Sequence, residues 1–239
     1  MKVGCYMINH DIEYIIENGE LFIDKLKMDK NDRYWSWEHC YSEFAYCKLS
    51  KLTDKEIDYL CLHLAFYLAS WGMYRGSSKL LQKDYKVHAN VVRELMKKEY
   101  ADLWALTCKD LISDNNKLEL LFILSDILRE NYCNVGVTPT DTLITKILMG
   151  TLGCVPAYDR YFIDGVKGRK GAYFKFNKQS IQELSNFYVK HYNTFEKWRQ
   201  SLSIGGIEYP QMKVLDMCFL SMGYKIEAMW HKKLENKNE

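Results

Sequence analysis

Apolar residues recur at helical spacing along nearly the whole chain, and three prolines in 239 residues interrupt them. No other feature constrains the fold as strongly, because a chain with few prolines can run long, unbroken helices. Ile12, Ile15, Ile16, Leu21, Phe22 and Leu26 predict a helix over 11–28. Trp37, Cys40, Tyr41, Phe44 and Cys47 share one face of a second helix over 33–50. Thr53 with Glu56 three residues on forms a capping-box signal, and the helix it opens runs to about Trp71. From Tyr59 to Leu68 that helix is apolar nearly all round, which predicts a central, buried position. Helices are expected next over 78–98, 100–112 and 117–131. Thr138 as N-cap with Pro139 in the first turn opens another to about Leu152. Asp159 starts a short helix ending near Gly165, a further one covers 179–202, and Tyr209-Pro210 opens the last. Helix after helix with short connections predicts an all-α globule. The length suits one domain over 1–239, or two helical lobes, 1–135 and 136–239, interleaved by the N-terminus around a cleft.

Composition narrows the function classes. Hydrophobic residues make up 48% and charged residues 27%, as in an ordinary globular protein. The net charge is +2, so no global field draws the chain to nucleic acid or to an anionic membrane. Nucleic-acid binding would need a local patch. No leader-like segment and no membrane-length apolar run is evident, so the expectation is a cytoplasmic protein with no membrane partner. The eight cysteines are scattered without a CxxC pair and read as reduced, buried small hydrophobes. Neither a metal site nor a cofactor is expected.

The stretch TDTLITKILMGTLGCVPAYDRYF, residues 140–162, is the most informative chemically. Lys146 sits in mid-helix, and Asp159 follows thirteen residues later, at the start of the next helix. A desolvated lysine is a nucleophile that can attack an anomeric carbon and form a Schiff base with the opened sugar. A neighbouring carboxylate can take its proton or stabilise the charge that develops as a base departs. A plain reading stands beside this one: an exposed helix lysine and an ordinary N-cap aspartate.

The arrangement resembles the catalytic region of the helix-hairpin-helix DNA glycosylases, in which a lysine is followed by an aspartate near the start of a later helix. Lys146 matches the lysine, Asp159 the aspartate, and Val155-Pro156 the hydrophobic-proline lead-in. The Leu-Pro-Gly-Val-Gly hairpin of that family is absent, with Val135-Gly136-Val137 standing at its place, and the lysine-to-aspartate spacing is shorter. The four-cysteine iron–sulfur motif of one branch is also missing. The resemblance implies a DNA glycosylase/AP lyase that excises a damaged or modified base, with DNA as partner, Lys146 as nucleophile and Asp159 as activator.

Three further features bear on binding. The loop 166–178 carries Lys167, Arg169 and Lys170 among glycines and aromatics, a pattern that suits phosphate contact and base stacking and equally suits a solvated loop. Arg75 and Ser77 lie in a Gly-Ser turn ahead of a helix, a candidate anion site or a simple helix start. Trp35 and Tyr158 are the candidate base-pocket aromatics, since an extruded base is held by stacking. Against the enzyme stand two alternatives. One is a non-catalytic helical module, of mobile-element or host-defence type, binding nucleic acid or protein. The other is a helical enzyme with a small-molecule pocket.

Overall fold

A computed structural model describes residues 8, 10–48, 51–75, 78–104, 106–202 and 206–236. Among them the protein is all-α, with twelve α-helices and no strand. These are α1 (Ile12–Met28), α2 (Ser36–Cys47), α3 (Asp54–Ser70), α4 (Ala89–Leu95), α5 (Ala101–Trp104), α6 (Cys108–Ser113), α7 (Asn115–Asn134), α8 (Asp141–Thr151), α9 (Arg160–Lys167), α10 (Lys178–Lys190), α11 (Tyr192–Ser201) and α12 (Gln211–Glu235). No helix among the described residues is long and apolar enough to cross a membrane.

Side-chain caps decide where most of these helices begin. Thr53 and Glu56 form the capping box that opens α3. The expected helix over 78–98 is broken up. Lys79 adopts a left-handed φ of 63°, and Asp84 caps a fresh turn, so two 3₁₀ turns precede the short α4. The segment 100–112 splits because Thr107 and Asp110 make a capping box of their own and start α6. The cap of α8 is Thr140, not Thr138. The Thr138 N–H instead donates to the Ser78 carbonyl, and Arg129 bonds the Pro139 carbonyl and Asp141. The expected helix over 179–202 breaks at His191, and no strand forms over 172–176.

Helix α12 carries α9 and α1 along its length, α10 packs on α6, α2 on α3, and α8 against both α2 and α3. Helix α3 differs from its expected burial. Ile57, Leu60, Leu64 and Leu68 enter the core, but Tyr59, Leu62 and Phe66 form an exposed stripe on one face. Its composition is apolar all round, yet only one side meets neighbouring helices.

The tightest contact is between α9 and α12. A Cβ built on Gly165 would overlap the Phe219 carbonyl, and one built on Gly223 would overlap the Tyr161 carbonyl. The two backbones therefore touch reciprocally, and neither obstacle is a side chain that can swing aside. Gly165→Ala is expected to cost about 3 kcal/mol through overpacking. The corresponding fall in thermal midpoint, about 10 °C, is measurable by circular dichroism.

A buried histidine links α4 to α7. His88 Nε2 lies 3.0 Å from Tyr74 Oη, and Nδ1 lies 2.6 Å from Tyr132 Oη. A neutral imidazole serves both, one nitrogen donating and the other accepting. Burial pushes the His88 pKa down to about 4. Above pH 6.5 neither folded nor unfolded chain binds this proton. Between 6.5 and about 4 the unfolded chain binds it and the folded chain does not, so stability falls as pH falls through that window. This group accounts for about 3 kcal/mol between the two limits. Chemical denaturation at pH 7.5 and pH 4.5 should show His88→Gln losing less stability on acidification than the wild type by roughly that amount.

Candidate functional site

Helix α8 is buried on every face from Leu143 to Thr151, so its central lysine has no route to solvent. Lys146 is 1% exposed. Its Nζ donates to Asp159 Oδ2 at 2.7 Å and lies 4.7 Å from the centre of the Trp71 ring. Asp159 is the N-cap of α9, and its other oxygen accepts from the Phe162 N–H at 3.0 Å. One carboxylate thus caps a helix and holds an ammonium of the preceding helix.

The end of the connecting segment next to Asp159 is clamped from two sides. Thr145 Oγ1 accepts from the Tyr158 N–H at 2.9 Å, and Thr142 Oγ1 donates to the Tyr158 carbonyl at 2.9 Å. Asp216 Oδ1, on α12, accepts from the Ala157 N–H at 3.0 Å. Asp159 is therefore positioned by α8 on one side and α12 on the other.

A second lysine–carboxylate pair lies in the same interior. Lys213 and Asp216 are each 1% exposed, and Lys213 Nζ is 3.6 Å from Asp216 Oδ2. Lys213 Nζ also faces Trp37 at 4.6 Å and Trp71 and Phe22 at 5.5 Å. Trp71 is thus shared by both amines. Glu38 on α2 accepts from the Tyr209 hydroxyl at 2.8 Å. Burial pushes the Asp216 and Glu38 carboxyls above the usual range, with Lys213 pulling both the other way. Burial drives Lys213 down, against Asp216 and Glu38. Four buried polar atoms here have no hydrogen-bond partner: Tyr67 Oη, Trp71 Nε1, Asp216 Oδ2 and Glu38 Oε2. Such orphans are costly and uncommon in packed interiors, and these four gather around the two lysines.

Two clefts flank this interior. One, of about 750 Å³, is walled by Tyr41, Trp104, Arg199 and Tyr209, the tyrosine whose hydroxyl reaches Glu38. The other, of about 340 Å³, lies between α1 and α12 and is lined by Phe22, Tyr34 and Tyr224. The hydroxyls of Tyr34 and Tyr224 meet at 2.8 Å, and the Tyr34 ring packs on Trp71 at 5.0 Å.

Of the remaining residues singled out from the sequence, Lys167 and Arg169 line one cleft. Lys167 is 3.7 Å from Glu183 and lies over the Phe174 ring at 4.1 Å. Lys170 pairs with Glu227 at 2.7 Å and stacks on Trp230 at 3.5 Å. Arg169 joins Tyr173 and Lys175 around another cleft of about 340 Å³ beside the start of α10. Arg75 is exposed on a bend, and Ser77 lies outside the described residues. Trp35 donates from its ring nitrogen to the Leu26 and Asp29 carbonyls, tying the entry of α2 to the end of α1. Tyr158 is buried against Phe162, Phe174 and Phe176, and its hydroxyl bonds Ser180. Both aromatics are committed to packing, and the ring that covers Lys146 is Trp71.

Sequence reasoning passed over Lys213, Asp216, Glu38, Tyr67 and Trp71. A signal for the first two was present. They interrupt a stretch, Met212 to Leu220, that is otherwise apolar on every face, so a buried helix there must carry its charges inside. Among the described residues no group of three or more His, Cys, Asp or Glu is placed to hold a metal ion.

The fold and this interior define an all-α protein with a buried lysine–carboxylate centre. No family model, no curated protein and no solved structure matches the chain.

The Lys146–Asp159 pair can be separated from the cap it shares. Asp159→Asn keeps the oxygen that accepts from Phe162 but strands a buried ammonium, at an expected cost of about 3–5 kcal/mol. Adding Lys146→Met should recover most of that loss. A double-mutant cycle of denaturant midpoints tests this, and additive losses would show that the two side chains are not coupled.

Proposed function

We propose that the protein is a DNA-processing enzyme of the helix-hairpin-helix glycosylase/AP lyase type, removing a damaged or modified base. The observation that carries this reading is the 2.7 Å contact between Lys146 Nζ and Asp159 Oδ2, with an aromatic ring over the amine. In the proposed reaction Lys146 attacks C1′, the base leaves, and the opened sugar forms an imine with the lysine. Asp159 receives the proton that the amine must lose. The clamps from Thr142, Thr145 and Asp216 hold the carboxylate in place, and such preorganisation is what positioning catalysis requires.

The reading carries a requirement of its own. Lys146 is shut beneath the surface, so DNA must open a path to it. The half-open side is at Asp159, whose side chain is 15% exposed. Arg33, which donates to the Tyr34 hydroxyl, lies by the Tyr34–Tyr224 pair and can meet phosphate there.

A second reading, a non-catalytic helical module, draws support from the surface. Lys167 and Lys170 are engaged by Glu183 and Glu227, and the Tyr59, Leu62 and Phe66 stripe is an apolar face of the kind used in protein contacts.

Borohydride trapping on duplex DNA bearing an abasic site separates the two. The enzyme reading expects a covalent adduct with the wild type that disappears in Lys146→Ala. Absence of an adduct with both proteins removes the lyase role and leaves the binding module as the better account.

A further inference from the structure

The lyase chemistry uses one of two buried amines, and the other is held in a different way. Lys146 gives a hydrogen to Asp159 at 2.7 Å, a short charge-assisted bond. Lys213 Nζ has a loose ion pair with Asp216 Oδ2 at 3.6 Å, longer than a good hydrogen bond. Its other neighbours are the rings of Trp37, Trp71 and Phe22. Burial, joined by the nearby Lys146 charge, presses its pKa below the usual lysine range in spite of Asp216 and Glu38. An amine without water and without a strong acceptor retains its lone pair more often than an exposed one, and the lone pair is the nucleophile.

Imine formation has three needs: a free amine, a donor for the carbonyl oxygen, and an acid to expel that oxygen as water. The surroundings of Lys213 hold candidates for each. Trp71 Nε1 and Tyr67 Oη are buried donors with no hydrogen-bond partner. Asp216 and Glu38 are carboxyls that burial inclines to keep a proton, and each has one oxygen without a hydrogen-bond partner. Asp216 holds the Ala157 N–H, but nothing in the packing of α12 calls for a lysine beside it, since an apolar side chain of similar volume would fill that space at no greater cost.

We propose that Lys213 is a second reactive amine, which forms an imine with small free aldehydes, Asp216 supplying the proton that removes the carbonyl oxygen. The amine nitrogen bonds to the carbonyl carbon, giving a carbinolamine. The carbon–oxygen bond then breaks as Asp216 transfers its proton, and the oxygen departs as water. Asp216 regains a proton from the nitrogen, so the amine and the aldehyde end as an imine and one water. The aldehyde must be small. Lys213 is 1% exposed and walled by three rings, which bars a nucleotide. This chemistry does not depend on DNA being a substrate, and it is read on a different lysine.

The test is competitive labelling of the native protein at pH 7 with glycolaldehyde and cyanoborohydride, followed by digestion and peptide mapping by mass spectrometry. At that pH on the order of one exposed lysine in 10³ is unprotonated. Lys213 is therefore expected to gain the hydroxyethyl group at least about tenfold faster than the exposed Lys48 and Lys233. In Asp216→Asn the labelling of Lys213 should slow about a hundredfold while the surface lysines keep their rates. Asparagine retains an oxygen for the Ala157 N–H, and circular dichroism checks the fold of the variant. Labelling of Lys213 no faster than the exposed lysines, or only after denaturation, overturns the proposal. Equal rates in wild type and Asp216→Asn overturn the role given to Asp216. Loss of the DNA adduct alone, with Lys213 still labelled, would count against the lyase reading and not against this one.

Discussion

The backbone contact between α9 and α12 is the constraint on which the rest of the molecule depends. Gly165 lies under the Phe219 carbonyl and Gly223 under the Tyr161 carbonyl, so each helix provides the notch for the other. Helices that approach this closely have little freedom to slide or rotate. The start of α9 is thereby fixed over α8, which sets Asp159 within a hydrogen bond of Lys146. The same contact fixes α12 in rotation, so that Lys213 and Asp216 turn inward and Asp216 can hold the Ala157 N–H. The geometry of the charged interior thus follows from two missing side chains.

That interior is expensive. Two lysines and three carboxylates are drawn from α2, α8, α12 and the cap of α9, and four polar atoms of this interior lack hydrogen-bond partners. Ion pairs of this kind contribute little net stability, because desolvation offsets the attraction between the charges. A core made for stability alone would be apolar there. Perturbed, partly unsatisfied ionisable groups gathered beside aromatic rings are the pattern of sites where protons and nucleophiles are managed. The contrast with His88 is instructive. His88 is also buried, but both its nitrogens are partnered by tyrosines, and it behaves as a structural link.

The candidate site is partly legible in the sequence. Lys146 and Asp159 stand out because a mid-helix lysine and a helix-starting carboxylate on consecutive helices can converge, and they do meet. Of the aromatics expected beside them, Trp35 bonds the end of α1 and Tyr158 bonds Ser180, because the identity of a ring says nothing of which face its helix turns inward. Trp71, at the very end of α3, takes the place beside the amine. Lys167 and Lys170 read equally as phosphate contacts or as solvated loop residues, and Glu183 and Glu227 pair with them. Contacts between residues so far apart in the chain leave no local trace.

By itself the sequence determined the helical class, most helix starts and the pairing of a lysine with a carboxylate across one connection. These are local properties, set by the 3.6-residue period, by caps such as Thr53 and Asp159, and by the short reach between neighbouring helices. The tertiary structure alone decided which side of each helix is buried. It left Tyr59, Leu62 and Phe66 outside on a helix apolar all round, and it drew Lys213 and Asp216 inside. Burial depends on what packs against a face, and that is settled by long-range contacts such as the glycine-notched meeting of α9 and α12.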